Sequence, residues 1–287
     1  MYKIAILGCE NSHADAFLKM IIEEKLYTDI EVVGVYSYDL EAANKLNEKF
    51  GVYVAKSFDE FVGKVDGIVI TARNGENHYK YAKPYIESGI PMFIDKPITN
   101  TIEDAESFKA ELIKNNVKVS GGSSLKHPDK VAEFKKAVAE KEFGKVYSGY
   151  ARAPVNLVND HGNFYFYSQH LVQIIGEIFG YFPNSVKAYQ NGDVINCMVR
   201  YDEYDIAMTY VVKNYTYAAG ISCENKVIAE SFTIDGCYQK EFDEFYKILT
   251  GGQQPQSYDE FFAPVYIINA IKDSLESGNE EIIKRGK

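Results

Sequence analysis

Short apolar segments alternate with segments of helical period over the first 120 residues, and this alternation constrains the fold more than any other feature. The predicted strands are residues 4–7, 31–36, 66–71, 91–94 and 117–120. The predicted helices between them are residues 12–22, 40–50, 76–88 and 101–115. Strands that alternate with helices in this way indicate βαβ units on a parallel sheet. We therefore expect an α/β, Rossmann-type, doubly wound domain over residues 1–122.

Polar residues and glycines mark the ends of these helices. Ser12 followed by Asp15 and Thr101 followed by Asp104 predict capping boxes at the start of the first and fourth helices. Gly51 and Gly89 follow the second and third helices, as is typical of helix C-termini.

After Gly121-Gly122 the pattern changes to that of an α+β domain, which we expect to span residues 123–287. The predicted helices are residues 131–140, 164–179, 238–249 and 257–276. Residues 194–201, 205–212, 218–223 and 226–234 are predicted to form a mainly antiparallel meander. Asn191-Gly192 predicts a type I′ hairpin turn before the first of these strands, because that turn needs positive φ angles.

Charge and cysteine usage exclude several classes of protein. The chain has 31 basic and 41 acidic residues, a net charge of −10, whereas nucleic-acid binding needs a surplus of Lys and Arg. No apolar run is long enough to span a membrane, and the N-terminus lacks the apolar core of a signal peptide. The four cysteines form no CxxC pair, so we expect neither a metal site nor disulfides, and a cytoplasmic location.

The turn after the first strand is a candidate dinucleotide site. In a GxGxxG register, Gly8, Glu10 and His13 occupy the three glycine positions, with Asn11 and Ser12 in the same turn. Backbone N–H groups at such a turn favour a pyrophosphate, but the carboxylate of Glu10 would repel it unless the side chain points away. On this motif alone, a cofactor site and a simple strand-to-helix turn are equally good interpretations.

The end of the second strand bears on the choice of cofactor. NAD enzymes place an acidic residue there to bind a ribose hydroxyl, whereas this chain has Ser37 and Tyr38. The absence of that carboxylate slightly favours NADP over NAD, although no Arg stands beside Ser37 to bind a 2′-phosphate. A solvated serine at a strand end is an equally good local interpretation.

Two further motifs follow the third and fourth strands. Thr71, Arg73, Asn74 and His78 follow one, and Asp95-Lys96-Pro97 ends the other. Phe143-Gly144-Lys145-Val146 comes later, and the last part of the chain contains Pro255, Ala270, Ser274 and Gly278. Together these motifs resemble the glucose-fructose oxidoreductase, inositol dehydrogenase and rhizopine-catabolism (Gfo/Idh/MocA) family. The resemblance covers essentially the whole chain.

The resemblance implies roles for these residues. Lys96 would stand beside the nicotinamide, where its ammonium can hydrogen-bond the reacting oxygen. Asp95 and the residues after the third strand would contact the cofactor, with His78 in a positioning role. Without the family context, a lysine before a proline would be read as solvated.

The family's second catalytic element is an Asp-x-x-x-His pair, which places the histidine at His170. This chain has Phe166 at the Asp position and Gln173 three residues after the histidine. Tyr165 or Tyr167 could supply a hydroxyl instead, and we take Tyr167 with Lys96 and His170 as the candidate catalytic residues. The alternative is that His170 packs in an aromatic helix.

The candidate substrate-binding residues are Lys126, His127, Asn156, Asp160, His161 and Tyr165. Lys126 and His127 follow the glycine pair and could equally form a polar interdomain hinge. The others belong to a polar cluster of the kind that recognises sugar hydroxyls, although an exposed loop would have the same composition.

The resemblance implies an NAD(P)-dependent oxidoreductase that transfers hydride between nicotinamide and a sugar, a polyol or a related secondary alcohol or ketone. The second domain would bind substrate and form a homodimer or homotetramer. One alternative is a member that has lost catalysis and acts as a ligand-binding or regulatory protein, as the two missing glycines and Phe166 suggest. Another is a reductase of a non-sugar carbonyl or a dihydrodiol.

Overall fold

The chain forms two compact units in the computed structural model, which describes residues 1–284. The first unit contains Met1–Gly122 together with Tyr238–Tyr258. The second contains Ser123–Cys237 and the described residues from Asp259 onward.

The first unit is built on a sheet of five parallel strands. They are β1 (Tyr2–Leu7), β2 (Ile30–Tyr36), β3 (Gly67–Ile70), β4 (Met92–Asp95) and β5 (Val119–Gly122). Their order across the sheet is β2-β1-β3-β4-β5, so the direction of winding reverses between β1 and β3. In open α/β sheets, ligands bind outside the carboxyl ends of the strands at such a reversal. The predicted doubly wound sheet is confirmed.

The helices of this sheet are α1 (Ser12–Leu18), α2 (Leu40–Phe50), α3 (Glu76–Ile86) and α4 (Ile102–Lys114). A π-helical segment, Lys19–Glu23, continues α1. Gly51 ends α2 with a φ of 70°, and the Thr101 side chain caps α4 by accepting from the Asp104 N–H, so both predictions are confirmed. The predicted cap at Ser12 is wrong by one residue. Asn11 has the extended backbone of a cap and accepts from the His13 N–H, whereas Ser12 is already helical.

A helix from late in the chain completes the core of the first unit. This helix, α7 (Cys237–Leu249), packs Phe242 against Phe17, with ring centroids 4.9 Å apart, and Phe245 against Phe93. From the sequence we expected residues 238–258 in the second domain, but in the structure they lie in the first unit. The amphipathic pattern of a helix shows that one face is buried, but it does not show which sheet covers that face.

The second unit is built on a seven-stranded, mostly antiparallel sheet. Its strands are β6 (Val146–Val155), β7 (Ser185–Asn191), β8 (Val194–Arg200), β9 (Asp205–Val212), β10 (Tyr217–Cys223), β11 (Val227–Phe232) and β12 (Glu280–Ile282). Their order is β11-β10-β6-β9-β8-β7-β12. Of the predicted meander, β8 pairs with β9 and β10 pairs with β11, but β6 lies between β9 and β10 and is parallel to β9. The uninterrupted four-stranded meander was therefore wrong.

The inserted strand has an unusual sequence for its position. The inward face of β6 carries Gly149, Ala151 and Ala153 rather than large apolar side chains. A Cβ at Gly149 would lie 2.2 Å from a ring carbon of Phe179, so only the smallest residue fits against that ring. Small residues do not give the strong apolar alternation by which strands are recognised in sequence.

The hairpin between β7 and β8 is confirmed, but its turn type is not the expected one. Asn191 pairs with Val194, which leaves Gly192 and Asp193 as the two turn residues. Only Gly192 has a positive φ, at 56°. One positive φ at the first turn residue is the pattern of type II′, whereas type I′ needs two.

The helices of the second unit are α5 (Asp129–Ala139), α6 (Tyr165–Phe179) and α8 (Tyr258–Ser277), with a short 3₁₀ turn at Ser124–Lys126. The Tyr210 hydroxyl of β9 donates to the Ser168 carbonyl of α6 over 2.9 Å, which fixes α6 on one face of the sheet. Ser274 of α8 accepts from the Ala188 N–H of β7 on the same face. Within residues 1–284, none of the helices is long and apolar enough to cross a membrane.

Candidate functional site

The first candidate site lies at the carboxyl edge of the parallel sheet, where the chain turns from β1 to α1. Gly8 has a φ of 77°, and a Cβ there would lie 2.5 Å from the backbone of Ala72. The N–H groups of Gly8 and Cys9 both donate to the carbonyl of Tyr36 at the end of β2. The first glycine of the motif is therefore required by a tight turn and a close approach of the β3 end.

Glu10, at the second glycine position, reaches across the ends of the neighbouring strands. Its carboxylate accepts a hydrogen bond from the Ser37 hydroxyl over 2.6 Å and another from the Arg73 backbone N–H over 3.1 Å. Ser37 follows β2 and Arg73 follows β3, so one side chain links three strand ends. The charge of Glu10 is thus held by two donors, which the sequence motif alone did not indicate.

His13, at the third glycine position, is buried between two carboxylates. Its Nδ1 lies 3.2 Å from Asp95 at the end of β4, and its Nε2 lies 3.4 Å from Glu241 of α7. Burial alone would lower the pKa of His13, but the charge of Asp95 and the hydrogen bond to Glu241 outweigh it and raise that pKa. The three side chains form an ion triad, in which the two carboxylates favour the protonated form of the imidazole.

The same three residues could share a metal ion only with a different geometry. Their candidate ligand atoms lie within 4.8 Å of one another. Within residues 1–284, this is the group of His, Cys, Asp or Glu side chains that lie close enough together to hold a metal ion. The two ring nitrogens of His13 lie 3.2 Å from Asp95 and 3.4 Å from Glu241, so the imidazole stands between the two carboxylates and does not direct one nitrogen at a point shared with both. Zinc needs ligand atoms about 2.0–2.3 Å from one point. The arrangement fits an ion triad better than a metal centre.

Asp95 connects this triad to the β1–α1 turn and to the candidate catalytic lysine. Its carboxylate accepts from the Asn11 side-chain amide over 2.7 Å and from the backbone N–H of Lys96 over 2.6 Å. Lys96 follows β4 directly, is buried, and precedes Pro97 through a cis peptide bond. The lysine therefore stands at the carboxyl edge of the sheet, on a segment held by hydrogen bonds to the first turn.

The loops after β3 and β4 are also bonded to each other. The Thr71 hydroxyl donates to the Gly8 carbonyl over 3.1 Å, and the Asn74 side-chain oxygen accepts from Asn100 over 2.8 Å. His78 is fully buried, with Nε2 2.8 Å from the Ala72 carbonyl and Nδ1 3.3 Å from the Ile98 carbonyl. Burial lowers the pKa of His78, which favours the neutral imidazole, and the Ala72 carbonyl is the closer acceptor for its N–H. Its contacts tie the two loops together.

Two of the predicted cofactor residues are less enclosed. The Ser12 hydroxyl donates to the Asn11 side-chain oxygen over 3.2 Å and lies 3.4 Å from the Tyr238 hydroxyl. Tyr38 is 54% exposed. Nine of the twelve predicted cofactor residues are hydrogen-bonded to another residue of that set; they are Gly8, Glu10, Asn11, Ser12, Ser37, Thr71, Arg73, Asp95 and Lys96.

The second candidate site lies in the other unit, around His170 of α6. The Nδ1 atom of His170 lies 2.6 Å from the Ser123 hydroxyl oxygen, which also accepts from the Leu125 N–H. Gln173 accepts from the backbone N–H of Ser123 over 3.4 Å. A serine hydroxyl therefore stands beside the imidazole of a chain that has Phe166 at the family's Asp position. Ser123 is 47 residues from His170 in sequence, so no local motif could have indicated it.

The aromatic residues at the start of α6 have different surroundings. The ring of Tyr167 meets that of His170 edge to face, with centroids 4.9 Å apart. Phe166 packs against His161 with centroids 5.2 Å apart. The Tyr165 hydroxyl donates to the Asn269 side chain of α8 over 3.0 Å. Tyr167 is thus the tyrosine of this stretch that contacts His170 directly.

The remaining predicted substrate residues lie in two loops of the second unit. Lys126 and His127 belong to the 3₁₀ turn that Ser123 caps, so they follow the His170 partner closely in the chain. Asn156, Asp160 and His161 lie between β6 and α6. In that loop the side chain of Asn159 bonds the backbone of Asn156, His161 and Asn163, which fixes the loop conformation.

Comparison with known proteins agrees with the first unit's geometry. Residues 2–123 match the GFO_IDH_MocA family, described as an oxidoreductase family with an NAD-binding Rossmann fold. These residues therefore resemble the NAD-binding domain of that family. The resemblance inferred from the sequence motifs is thereby confirmed. No curated protein sequence matches the chain.

Solved structures match both units. Myo-inositol 2-dehydrogenase from Lactobacillus plantarum gives a TM-score of 0.85 at 12% identity, covering 99% of each chain. A myo-inositol dehydrogenase from Corynebacterium glutamicum gives 0.84 at 18% identity, also covering 99% of each chain. GenD2 from gentamicin A biosynthesis, solved in complex with NAD, gives 0.83 at 12% identity, covering 99% of this chain and 96% of that one. At these identities the matches show a shared fold.

Replacing His13 with Gln should destabilise the protein and change its pH dependence. Two buried carboxylates would lose their cation, which costs about 3–5 kcal/mol for a broken buried ion pair. Because folding raises the pKa of His13, its stabilising effect is fully present below its ordinary pKa of 6.5 and is lost as pH rises through the folded value. Urea unfolding between pH 6 and 9 measures both effects.

The control for that experiment is the double variant His13→Gln, Glu241→Gln. It removes the cation and one carboxylate together, so it should recover part of the lost stability. An unchanged free energy of unfolding in the single variant, or an unchanged pH slope, would contradict the ion triad.

Replacing Ser123 with Asp should raise the pKa of His170. A carboxylate beside Nδ1 stabilises the imidazolium, by about one pKa unit or more at contact distance. Ser123→Asn is the matched control, because it has the same size without the charge. The pKa is measured by NMR titration of the His170 ring resonances. Equal values in the two variants would show that Ser123 is not the partner of Nδ1 in solution.

Proposed function

We propose that this protein is an NAD(P)-dependent dehydrogenase or reductase that acts on CH–OH groups of sugars, polyols or related secondary alcohols. The observation that carries the proposal is the position of Lys96. It directly follows β4 in a unit that matches an NAD-binding oxidoreductase family, on a segment bonded to the β1–α1 turn. The similarity to the structures of two inositol dehydrogenases supports the substrate class.

The residues at the carboxyl edge fit a dinucleotide. Gly8 keeps the tight turn, and the carboxylate of Glu10 is bonded to Ser37 and Arg73 instead of being left unpaired at the turn. His13 is accommodated by Asp95 and Glu241, so the absence of the third glycine does not disturb the turn. A bound nicotinamide supplies the hydride chemistry, and the protein supplies orientation and proton transfer.

Lys96 of the first unit and His170 of the second unit are the proposed catalytic residues. The ammonium of Lys96 holds the reacting oxygen and stabilises negative charge as it develops there. In the oxidation direction, His170 accepts the hydroxyl proton, and Tyr167 limits the positions that its ring can take. A hydroxyl at Ser123 both donates and accepts, so it serves Nδ1 of His170 in either neutral tautomer.

The polar loop before α6 and the 3₁₀ turn supply the other substrate contacts in this proposal. Asn156, Asp160 and His161 lie in a loop whose backbone is fixed by Asn159. Lys126 and His127 follow Ser123 directly. Amide, carboxylate, imidazole and ammonium groups together can hydrogen-bond several hydroxyl groups, which suits a polyhydroxylated substrate.

We expect Lys96→Met to lower turnover by about a hundredfold or more, because it removes an electrostatic stabiliser of the reacting oxygen and keeps the side-chain length. The affinity for reduced cofactor should change only a few-fold. Isothermal titration with NADH and NADPH and steady-state kinetics on a panel of inositols and sugars measure the two effects. His170→Asn is the companion variant, which removes the base and retains a polar side chain.

Two results would contradict this proposal, one in full and one in part. A wild-type protein that binds neither NADH nor NADPH at millimolar concentration has no dinucleotide site. A Lys96→Met variant with wild-type turnover would leave the oxidoreductase class standing but remove the lysine from the chemistry.

We also propose that the protein is a homodimer or homotetramer. One face of the seven-stranded sheet is covered by α6 and α8, whereas the opposite face exposes Tyr150, Tyr189 and Met198. Burying such a face against a second copy removes apolar surface from water. Light scattering after gel filtration should give a multiple of 32.5 kDa that Met198→Lys reduces and the control Leu40→Lys does not. A monomeric wild-type protein would contradict this proposal.

A further inference from the structure

The carboxyl edge of the sheet holds a carboxylate at a position where a sequence motif would not place one. NAD enzymes of Rossmann fold bind the adenosine ribose hydroxyls with an acidic residue at the end of the second strand. Here that place is taken by Ser37, directly after β2, and its hydroxyl donates to the carboxylate of Glu10 over 2.6 Å. The acidic group is therefore present beside the strand end, although it comes from the turn after β1.

The contacts of Glu10 fix where its charge lies. One carboxylate oxygen accepts from Ser37 and the other from the Arg73 backbone N–H, so the group is held between the ends of β2 and β3. The Asp39 N–H donates to the Ser37 hydroxyl over 3.1 Å, which orients that hydroxyl toward Glu10. Glu10 is 9% exposed, and each of its oxygens has a second lone pair that can accept another hydrogen bond.

The carboxylates of Glu10 and Asp39 both act on the Cys9 thiol in this turn. Burial, and then the charges of Glu10 and Asp39, raise the pKa of the Cys9 thiol to about 12. A phosphate monoester brings roughly two negative charges at neutral pH, so a 2′-phosphate at this place would meet a fixed like charge. A ribose diol would instead meet an oriented acceptor.

We propose that Glu10 is the residue that selects the cofactor, by accepting hydrogen bonds from the adenosine ribose hydroxyls of NAD and repelling the 2′-phosphate of NADP. The inference rests on the proposed oxidoreductase function and reverses the slight preference for NADP that Ser37 alone suggested. It gives the carboxylate at the second glycine position a role in recognition. Ser37 acts through Glu10, as a positioning residue.

Glu10→Gln is the test variant, because the amide keeps the size of the side chain and can still bond both Ser37 and the Arg73 N–H. Dissociation constants of NADH and NADPH are measured by isothermal titration for wild type and variant. Wild type should prefer NADH, and the variant should lose at least about tenfold of that preference, mainly through tighter NADPH binding. Thermal melts of the free proteins check that the variant is folded.

Asp39→Asn is the matched control. It removes the same charge two residues beyond Ser37, and asparagine preserves the cap that Asp39 provides to α2. The ratio of NADPH to NADH dissociation constants should stay within about threefold of the wild-type ratio. An equal loss of preference in both variants would show that the general negative field, and not Glu10, selects the cofactor.

If the Glu10→Gln variant does not fold, a binding measurement on the wild-type protein alone still tests the proposal. ADP-ribose and its 2′-phosphate differ only in the group that Glu10 is proposed to reject, so ADP-ribose should bind at least about tenfold more tightly. Equal binding, or tighter binding of the 2′-phosphate or of NADPH, would overturn the role of Glu10 and leave the dehydrogenase proposal intact. Absence of binding by every nucleotide would overturn both.

Discussion

The buried carboxylate of Asp95 is the interaction on which the first unit's functional edge depends. It has no exposed surface, and a buried carboxylate is tolerated only with partners that satisfy its charge and its lone pairs. Asn11 supplies one donor from the β1–α1 turn, the Lys96 backbone supplies another, and His13 supplies the neighbouring positive charge. The same group therefore fixes the first turn, the start of the Lys96 segment and, through His13, the position of Glu241 on α7.

This dependence explains how the chain dispenses with two glycines of the dinucleotide motif. The second and third glycines normally allow a close approach of the pyrophosphate and tight packing of helix on strand. Glu10 instead turns its side chain to Ser37 and Arg73, and His13 fills the space between α1 and α7, where its ring lies 4.3 Å from that of Tyr238. Larger side chains at the motif are thus matched by partners elsewhere in the unit, and α7 is part of the motif's support.

The sequence was sufficient for the features that depend on local patterns. The parallel sheet, the Thr101 cap and the Gly51 helix end follow from residues within a few positions of one another, and the structure confirms them. Glu241 and Ser123 were not predicted, because Glu241 is distant in sequence from His13 and Ser123 is distant in sequence from His170. These contacts exist only in the folded chain. Strand β6 was not predicted, because the ring of Phe179 leaves room only for glycine at position 149 and the alanines on the same face give no strong apolar alternation.

The group beside Nδ1 of His170 determines which ring nitrogen carries the proton, and here that group is the hydroxyl of Ser123. A carboxylate can only accept from Nδ1, so it favours the tautomer in which Nε2 carries no proton and can act as a base. A hydroxyl either accepts from Nδ1 or donates to it, and the Ser123 oxygen has a second donor in the Leu125 N–H. Neutral His170 can therefore hold its proton on either nitrogen. In the proposed reaction, the tautomer with an unprotonated Nε2 is the one that can accept the proton of an alcohol, and the imidazolium formed in that step is the acid for the reverse direction.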